Sequence, residues 1–403
     1  MYVVTDPAAI DTVLERGVIA EILPDKNAFR DRLLSGERLR FYLGADPSGA
    51  SLHLGHAVNY MLLEDFRLLG HEVIVLFGDF TAQIGDPTGR DTARTQLSKV
   101  EVIANQQQWL EQLQLLLDFN DQDNPPRVLY NADWLRNLNF EDVINLAAHF
   151  TVQQMLERDM FARRMDANHP IYLHEFLYPL MQGYDSVAME VDVEVCGTDQ
   201  TFNAMAGRTL NKRYNNQDKH VVTVNLLVNP DTGEKMAKST GSGVFLSSSA
   251  EDMYGAIMAQ PDAMTKSLLL NVTRLDPEQI EGIMQLPARD AKAQSAFEVV
   301  ARLHGRVAAE KAHEAFERQF RHGQLPKDIP EYQFSRSSWK VEDLLTDTGL
   351  VASKSEARRL REQNGVKRNS ETVHEATIKV ADGDVIQVGK RKFVRLRQQA
   401  DAD

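Results

Sequence analysis

The sequence predicts an α/β fold organised on a doubly wound parallel sheet, and three consecutive stretches carry that prediction. A strand is expected near Leu39 to Leu43, where the apolar residues Phe41 to Leu43 run into Gly44 and the turn formers Asp46, Pro47, Ser48 and Gly49. Leu54 to Leu69 follows, with Ala57, Val58, Met61, Leu62, Phe66 and Leu69 at helical spacing and Gly70 as a stop. Val73 to Phe77 is then continuously apolar, the pattern of a strand covered on both faces. Strand, helix and strand make one βαβ unit with a right-handed crossover.

The other elements are placed around that unit. Ala8 to Ile22 reads as a helical lead-in. Gly78 to Gly89 is a second turn-rich loop, and both loops should face one crevice at the carboxyl ends of the strands. Leu97 to Leu117 and Phe140 to Met165 are long and amphipathic, broken at Asp118 to Pro126, and predict a helical insertion over about 97–190. A helix is expected over His174 to Val187 despite Pro179, a strand over Val191 to Val195, a helix over Asp199 to Leu210 and a buried strand over His220 to Leu227. Glu234 to Gly243 is polar and glycine-rich, the composition of a loop that moves. The expected organisation is a catalytic domain over 1–245, an α-helical domain over 246–322, a linker over 323–338 and a small α+β domain over 339–403.

Composition narrows the class. With 43% hydrophobic and 26% charged residues in 403, the chain has material for a large core. Neither a leader-like N-terminus nor a run of membrane-spanning length is present, so a cytoplasmic protein without membrane contact is expected. The single cysteine, Cys196, excludes an internal disulfide and a multi-cysteine zinc site, and reads as a small buried residue at a strand end. A net charge of −13 argues against broad nucleic-acid binding, yet Ser353 to Arg397 holds twelve Lys/Arg against six Asp/Glu.

A strand that feeds a helix through a turn-rich loop suits phosphate, because first-turn N–H groups are unpaired and the helix dipole favours anions. Here that helix opens with His53-x-Gly-His56, and Lys235-Met-Ala-Lys-Ser239 lies on the later glycine-rich loop. Together they resemble the two signature motifs of the class I aminoacyl-tRNA synthetases. The resemblance implies a Rossmann-like sheet and ATP as a substrate. Imidazole donors and ammonium groups can stabilise charge that develops at an α-phosphate as pyrophosphate leaves.

The resemblance sharpens to the tyrosyl-tRNA synthetases through Tyr42-Leu-Gly-Ala-Asp46, Ile84-Gly-Asp86-Pro-Thr-Gly, Tyr178-x-x-x-Gln182-x-x-Asp185 and Gly197-Thr-Asp199-Gln200. It implies that Tyr42 and Asp185 bind the phenol of L-tyrosine, that Asp86, Tyr178 and Gln182 bind its ammonium group, and that Gln200 serves the carboxyl side. Gly44, Asp46, Ser48, His53, Gly55, His56, Gly197, Asp199 and Lys238 would hold ATP. His53, His56, Lys235, Lys238 and Ser239 would be catalytic. Independently, positions 178, 182 and 185 share one face if the segment is helical, putting three polar groups on an otherwise apolar stretch. Leu54, Ala237 and Cys196 depart from the commonest family residues at their positions.

The basic tail resembles the RNA-binding module named after ribosomal protein S-four, through Val341 to Leu345, Gly349 to Leu360, Gly365 to Lys367 and Gly383 to Lys392. A helix bearing Lys354, Arg358, Arg359 and Arg361 would meet tRNA phosphates. The resemblance further implies a homodimer formed through the insertion, magnesium accompanying ATP, no tightly bound cofactor and no protein-held metal. A tryptophan-activating relative, another nucleotidyl-transferring ligase and a non-catalytic RNA-binding adaptor remain as alternatives.

Overall fold

The computed structural model of the chain describes residues 2–88, 97–236, 241–321, 329–389 and 392–399, and it divides into two compact units, Met1–Phe316 and Glu317–Asp403. In the first, α1 (Pro7–Glu15) is capped by Asp6 and ends before Gly17, whose φ of +92° suits glycine. The expected lead-in helix therefore stops early. Residues Ile19–Leu23 form β1 instead, and α2 (Lys26–Leu34) follows. The βαβ unit is present as β2 (Arg40–Ala45), α3 (Leu54–Leu68) and β3 (Glu72–Phe77).

After α4 (Thr81–Ile84) and α5 (Lys99–Leu113), β4 (Arg127–Tyr130) pairs in parallel with β3, so the expected all-helical insertion contributes an edge strand to the sheet. Four residues are too few to show a periodicity. Beyond α6 (Ala132–Leu135), the single long helix expected over Phe140 to Met165 is three: α7 (Phe140–Ala147), α8 (Val152–Leu156) and α9 (Asp159–Asp166). Capping boxes at Asn139 and Thr151 start the first two anew. Then come α10 (Leu173–Met189), which runs through Pro179, β5 (Val193–Gly197), α11 (Thr201–Tyr214) and β6 (His220–Val224).

The sheet order is β1-β6-β5-β2-β3-β4, parallel except for β1 against β6. From β2 the chain builds outward through β3 and β4, then returns to the other side for β5 and β6. The crevice beyond the carboxyl ends of β2 and β5 is thus the point where the winding reverses, the usual ligand position in open α/β sheets.

Five further helices follow: α12 (Ala250–Met258), α13 (Met264–Val272), α14 (Pro277–Met284), α15 (Ala288–His304) and α16 (Arg306–Arg321), the last belonging to this unit as far as Phe316. Their buried Met253, Ile257, Leu268 and Val299 belong to the same core as Phe41, Phe66 and Val75, so a separate helical domain beginning at 246 is not what forms. Asp65 on α3 reinforces the join, accepting from Arg16 at 3.0 Å and from Arg274 at 2.5 Å.

The second unit comprises β7 (Glu331–Phe334), β8 (Ser338–Lys340), α17 (Val341–Asp347), α18 (Lys354–Glu362), β9 (Val366–Arg368), β10 (Glu371–Thr372), β11 (Thr377–Lys379), β12 (Val385–Val388) and β13 (Lys392–Gln398). Its five-stranded sheet, β10-β9-β12-β13-β7, has its own core around Trp339, Leu344, Leu345, Ile386 and Leu396. β7 pairs with β13, so residues 331–334 of the expected linker belong to this sheet; residues 323–328 of that linker lie outside the described residues. Asp65→Ala should cost about 2–3 kcal/mol in urea unfolding, since it strips two partly buried guanidinium groups of their shared partner. A loss near zero would show that this bridge does not secure the helices.

Candidate active site

At the reversal point a cavity of about 380 Å³ is lined by the loops that leave β2, β3, β5 and β6 and by one face of α10. Gly44, Asp46, Ser48, His53, Gly55, His56, Asp86, Tyr178, Gln182, Asp185, Gly197, Asp199, Gln200 and Lys235 all line it. Residues from six separate segments of sequence are thereby brought to one volume. Lys238 and Ser239 lie outside the described residues.

His53 is the N-cap of α3, and the two histidines form a reciprocal cap. Nδ1 of His53 accepts from the Gly55 N–H at 3.1 Å, and Nδ1 of His56 accepts from the His53 N–H at 3.2 Å. A neutral imidazole that accepts at Nδ1 carries its proton at Nε2, so each ring retains one donor. Burial lowers the His53 pKa to about 4; burial, with His53 adjacent, lowers that of His56 to about 3. At neutral pH these are uncharged donors. Gly55 is needed for the ring itself: a Cβ there would lie 2.9 Å from the His53 imidazole.

The loop before these histidines is clamped from α5. Asn105 donates to Pro47 O at 2.8 Å and Trp109 to Gly49 O at 2.6 Å, while Gln112 donates to Ala50 O and accepts from the Leu52 N–H. The spacing of 105, 109 and 112 marks one helix face, a signal available in the sequence but hidden in an amphipathic pattern. On the far side, Leu54 N–H donates to Val244 O and Leu246 N–H to Leu52 O, both at 2.9 Å, so the segment following the lysine loop is stitched to the start of α3. Lys235, half exposed, pairs with Asp199 at 2.9 Å.

The deeper wall is a polar network. Asp46 accepts from Thr81 at 2.7 Å and from the Tyr178 hydroxyl at 2.8 Å. Gln182 donates its amide to Glu194 at 2.9 Å, which turns its carbonyl the other way, because a carboxylate can only accept. Asp86 accepts from Gln200 at 2.8 Å and from the Thr88 hydroxyl at 2.7 Å. Asp185, buried, accepts from the Trp134 indole at 2.7 Å and from Asn131 at 3.3 Å. Burial pushes its carboxyl well above the usual carboxylate range, and those two donors oppose the shift. Asn131 and Trp134 were invisible to sequence reasoning because they follow the unrecognised β4.

Two of the expected residues are placed differently from the rest. Tyr42 does not line the cavity: it is fully buried behind it, its hydroxyl 3.1 Å from Ser186 Oγ, because its face of β2 packs against Ile74, Leu76, Met189 and Val191. Arg361 is not a free cation, since it donates to Glu342 at 3.2 Å and to His374 O at 2.9 Å inside the second unit. Lys354 pairs with Asp343 at 2.7 Å, while Arg358 and Arg359 are exposed on α18. Cys196 is buried at the end of β5, where it joins the lining of the cavity, and burial pushes its thiol pKa well up.

The family described as tRNA synthetases class I (W and Y) matches residues 34–321. A tyrosine–tRNA ligase of Moorella thermoacetica is 42% identical over 395 residues, covering 95% of this chain and 94% of that protein. Tyrosine–tRNA ligase 2 of Vibrio parahaemolyticus is 41% identical over 389 residues, covering 95% and 97%. Among solved structures, a C-terminally truncated mitochondrial tyrosyl-tRNA synthetase of Aspergillus nidulans superposes with a TM-score of 0.64 at 25% identity, over 77% of this chain and 94% of that one. The tyrosyl-tRNA synthetase of Archaeoglobus fulgidus complexed with L-tyrosine shares the fold, with a TM-score of 0.59 at 20% identity over 76% and 100% of the two chains.

The shielded histidines set a pH dependence. An unfolded chain protonates them near pH ~6.5, whereas the folded site does not until about pH 4 and about pH 3. In that window the unfolded state binds more protons, so stability falls as pH drops from about 6.5 towards 4. The urea midpoint should follow, and its slope with pH should be shallower in His53→Gln/His56→Gln. An identical slope in that variant would mean that the rings are not shielded from protonation.

Proposed function

The chain belongs to the class I tRNA synthetases of the W and Y type, and from that membership we propose how its cavity divides the work. Its activity is tyrosine–tRNA ligation: tyrosine is activated with ATP and joined to tRNA. The observation that carries the assignment of the pocket is Asp185, a buried acceptor held by two donors in the lining of the same cavity as the paired histidines.

In this proposal the substrate phenol donates to Asp185. Its ammonium group has three hydrogens to give, and three acceptors are free to take them. Gln182 offers its carbonyl because its amide is spent on Glu194, Tyr178 offers its oxygen because its O–H is spent on Asp46, and Asp86 is a carboxylate. Phenylalanine would leave Asp185 facing a group that cannot donate; tyrosyl-tRNA synthetases are the standing example of such discrimination without editing.

At the other end, a carboxylate oxygen of tyrosine attacks the α-phosphorus of ATP and pyrophosphate leaves. The Nε2–H groups of His53 and His56 would donate to the phosphate oxygens, and Lys235, with Lys238 of the same motif, would offset their charge. Removing one such donor typically costs about 10²–10³ in kcat. Magnesium would enter with ATP as part of the substrate. A ribose hydroxyl at the tRNA 3′ end then attacks the tyrosyl carbonyl and AMP leaves, with no covalent enzyme intermediate. Catalysis is thus positioning and electrostatics.

Arg358 and Arg359 on α18 are the cations proposed to meet tRNA phosphates, with Lys354 beside them and Arg361 bracing the helix. A homodimer is proposed through the segment that leads into α10, where Phe140, Ile144 and Val152, with Leu173 at the start of α10, are exposed apolar side chains; sedimentation would read its mass directly. No described helix is long and apolar enough to cross a membrane, and a cytoplasmic place of work is the proposal that accompanies translation.

ATP–pyrophosphate exchange, tested with each amino acid in turn, should depend on tyrosine alone. Asp185→Ala should lower kcat/KM for tyrosine by about 10²-fold or more. Near-normal tyrosine exchange in that variant would sink the pocket assignment. Arg358→Ala/Arg359→Ala should weaken tRNA binding and flatten its salt dependence by about two charges, while tyrosyl-adenylate forms at the wild-type rate. Equal loss of both activities would mean that the cations do not act separately.

A further inference from the structure

Two charges in the catalytic unit are buried, do not line the cavity and have no part in the steps above. Lys219, immediately before β6, is 0% exposed, and Glu194 on β5 is 2% exposed; they form an ion pair. Burying such a pair is expensive, and well-packed apolar replacements are often as stable, so its presence calls for a purpose beyond stability.

Its contacts supply one. Glu194 uses one carboxylate oxygen for Lys219 and the other for the Gln182 amide at 2.9 Å. Lys219 donates to Ser186 Oγ at 2.6 Å, and Ser186 Oγ lies 3.1 Å from the Tyr42 hydroxyl. The ammonium group also sits 5.4 Å from the centroid of the Tyr42 ring. Tyr42 and Glu194 are direct neighbours across β2 and β5, hence on one face of the sheet. Space for the ammonium group is reserved on α11 by Gly207, where a Cβ would lie 2.6 Å from Lys219 Nζ and 2.7 Å from Ser186 Oγ.

We propose that the buried Lys219–Glu194 pair is a positioning device that fixes both ends of the bound amino acid, the ammonium end through Gln182 and the ring end through Ser186 and Tyr42. This rests on the assignment of the cavity to tyrosine. Without an acceptor behind it, the Gln182 amide can rotate and present a donor to an ammonium group that needs an acceptor. Without a cation behind it, Ser186 can turn from Tyr42, and the wall at the phenol end loses its fixed geometry. Lys219 and Glu194 are positioning residues, since neither reaches the substrate.

The test uses the full chain and three variants. Glu194→Leu/Lys219→Met removes both charges together and should unfold close to wild type in urea. Its KM for tyrosine should rise about tenfold and its preference for tyrosine over phenylalanine should fall about tenfold, with the KM for ATP unchanged. Glu194→Gln/Lys219→Met restores a carbonyl behind Gln182, and should recover the KM for tyrosine without recovering the preference. Ser186→Ala, a minimal change, removes the hydroxyl between Lys219 and Tyr42 but leaves the ion pair and the Glu194–Gln182 bond, and should lower the preference alone. Wild-type tyrosine KM and preference in the folded double variants, or an unchanged preference in Ser186→Ala should the doubles not fold, overturns the proposal. Asp185→Ala separates the two failures: retained tyrosine exchange there defeats the pocket assignment itself, whereas its loss beside unaffected pair variants defeats only the positioning role.

Discussion

Everything in the catalytic unit depends on the start of α3 being held still at the point where the sheet reverses. A helix N-terminus is an anion site only if its loop does not close over it or drift away. Here α5 grips that loop through Asn105, Trp109 and Gln112, and backbone bonds at Leu52 and Leu54 tie its other side to residues 244–246. The same bonds solve a problem of chain distance, because they bring the stretch after the lysine motif beside histidines nearly two hundred residues earlier. The shared core of α12, α13 and α15 with β2 and α3 makes that closure rigid.

Desolvation then gives the held groups their chemical character. The histidines lose their positive form and become directional donors, while Tyr42 and Tyr178 keep their hydroxyl protons because burial pushes their ionisation well up. Donors in the deep wall are consumed by the protein's own carboxylates, Asp46 in the lining and Glu194 behind it, so what Tyr178 and Gln182 have left to offer is acceptors. On the proposed assignment, a cationic amino group is selected by subtraction: the protein spends its own donors elsewhere.

How much of this the sequence disclosed depends on the kind of interaction. His53, His56, Asp86, Tyr178, Gln182, Asp185 and Lys235 were legible because they stand in motifs with fixed spacing, and the cavity gathers them. β2, α3 and β3 were legible because apolar periodicity reports burial directly. What supports the motif residues was not. Asn131 and Trp134 follow a four-residue edge strand, Glu194 and Lys219 look like surface charges in a one-dimensional pattern, and Arg361 is indistinguishable from its exposed neighbours until Glu342 is seen beneath it. The boundary at 245 failed for a related reason: helices look the same in sequence whether they make their own core or extend another.

The two ends of the cavity are built differently, and the difference follows from what each must do. Rejection of an analogue that lacks one hydroxyl works only if the unpaired acceptor cannot relax towards another partner, so the acceptor must sit in a fully packed wall. In the proposed pocket Asp185, Tyr178 and Gln182 meet that need on one long helix laid against α11, with Trp134, Asn131 and Glu194 bonded to them. Stabilising charge that exists only during the reaction has the opposite need. A cation bound tightly to the ground state would lower KM without raising kcat, so it should arrive on a loop and find its strongest partner late. Lys235, half exposed and pairing with Asp199, fits that description, whereas a lysine buried like Lys219 could not. On the roles proposed above, the same residue type does two jobs in one unit, and burial decides which.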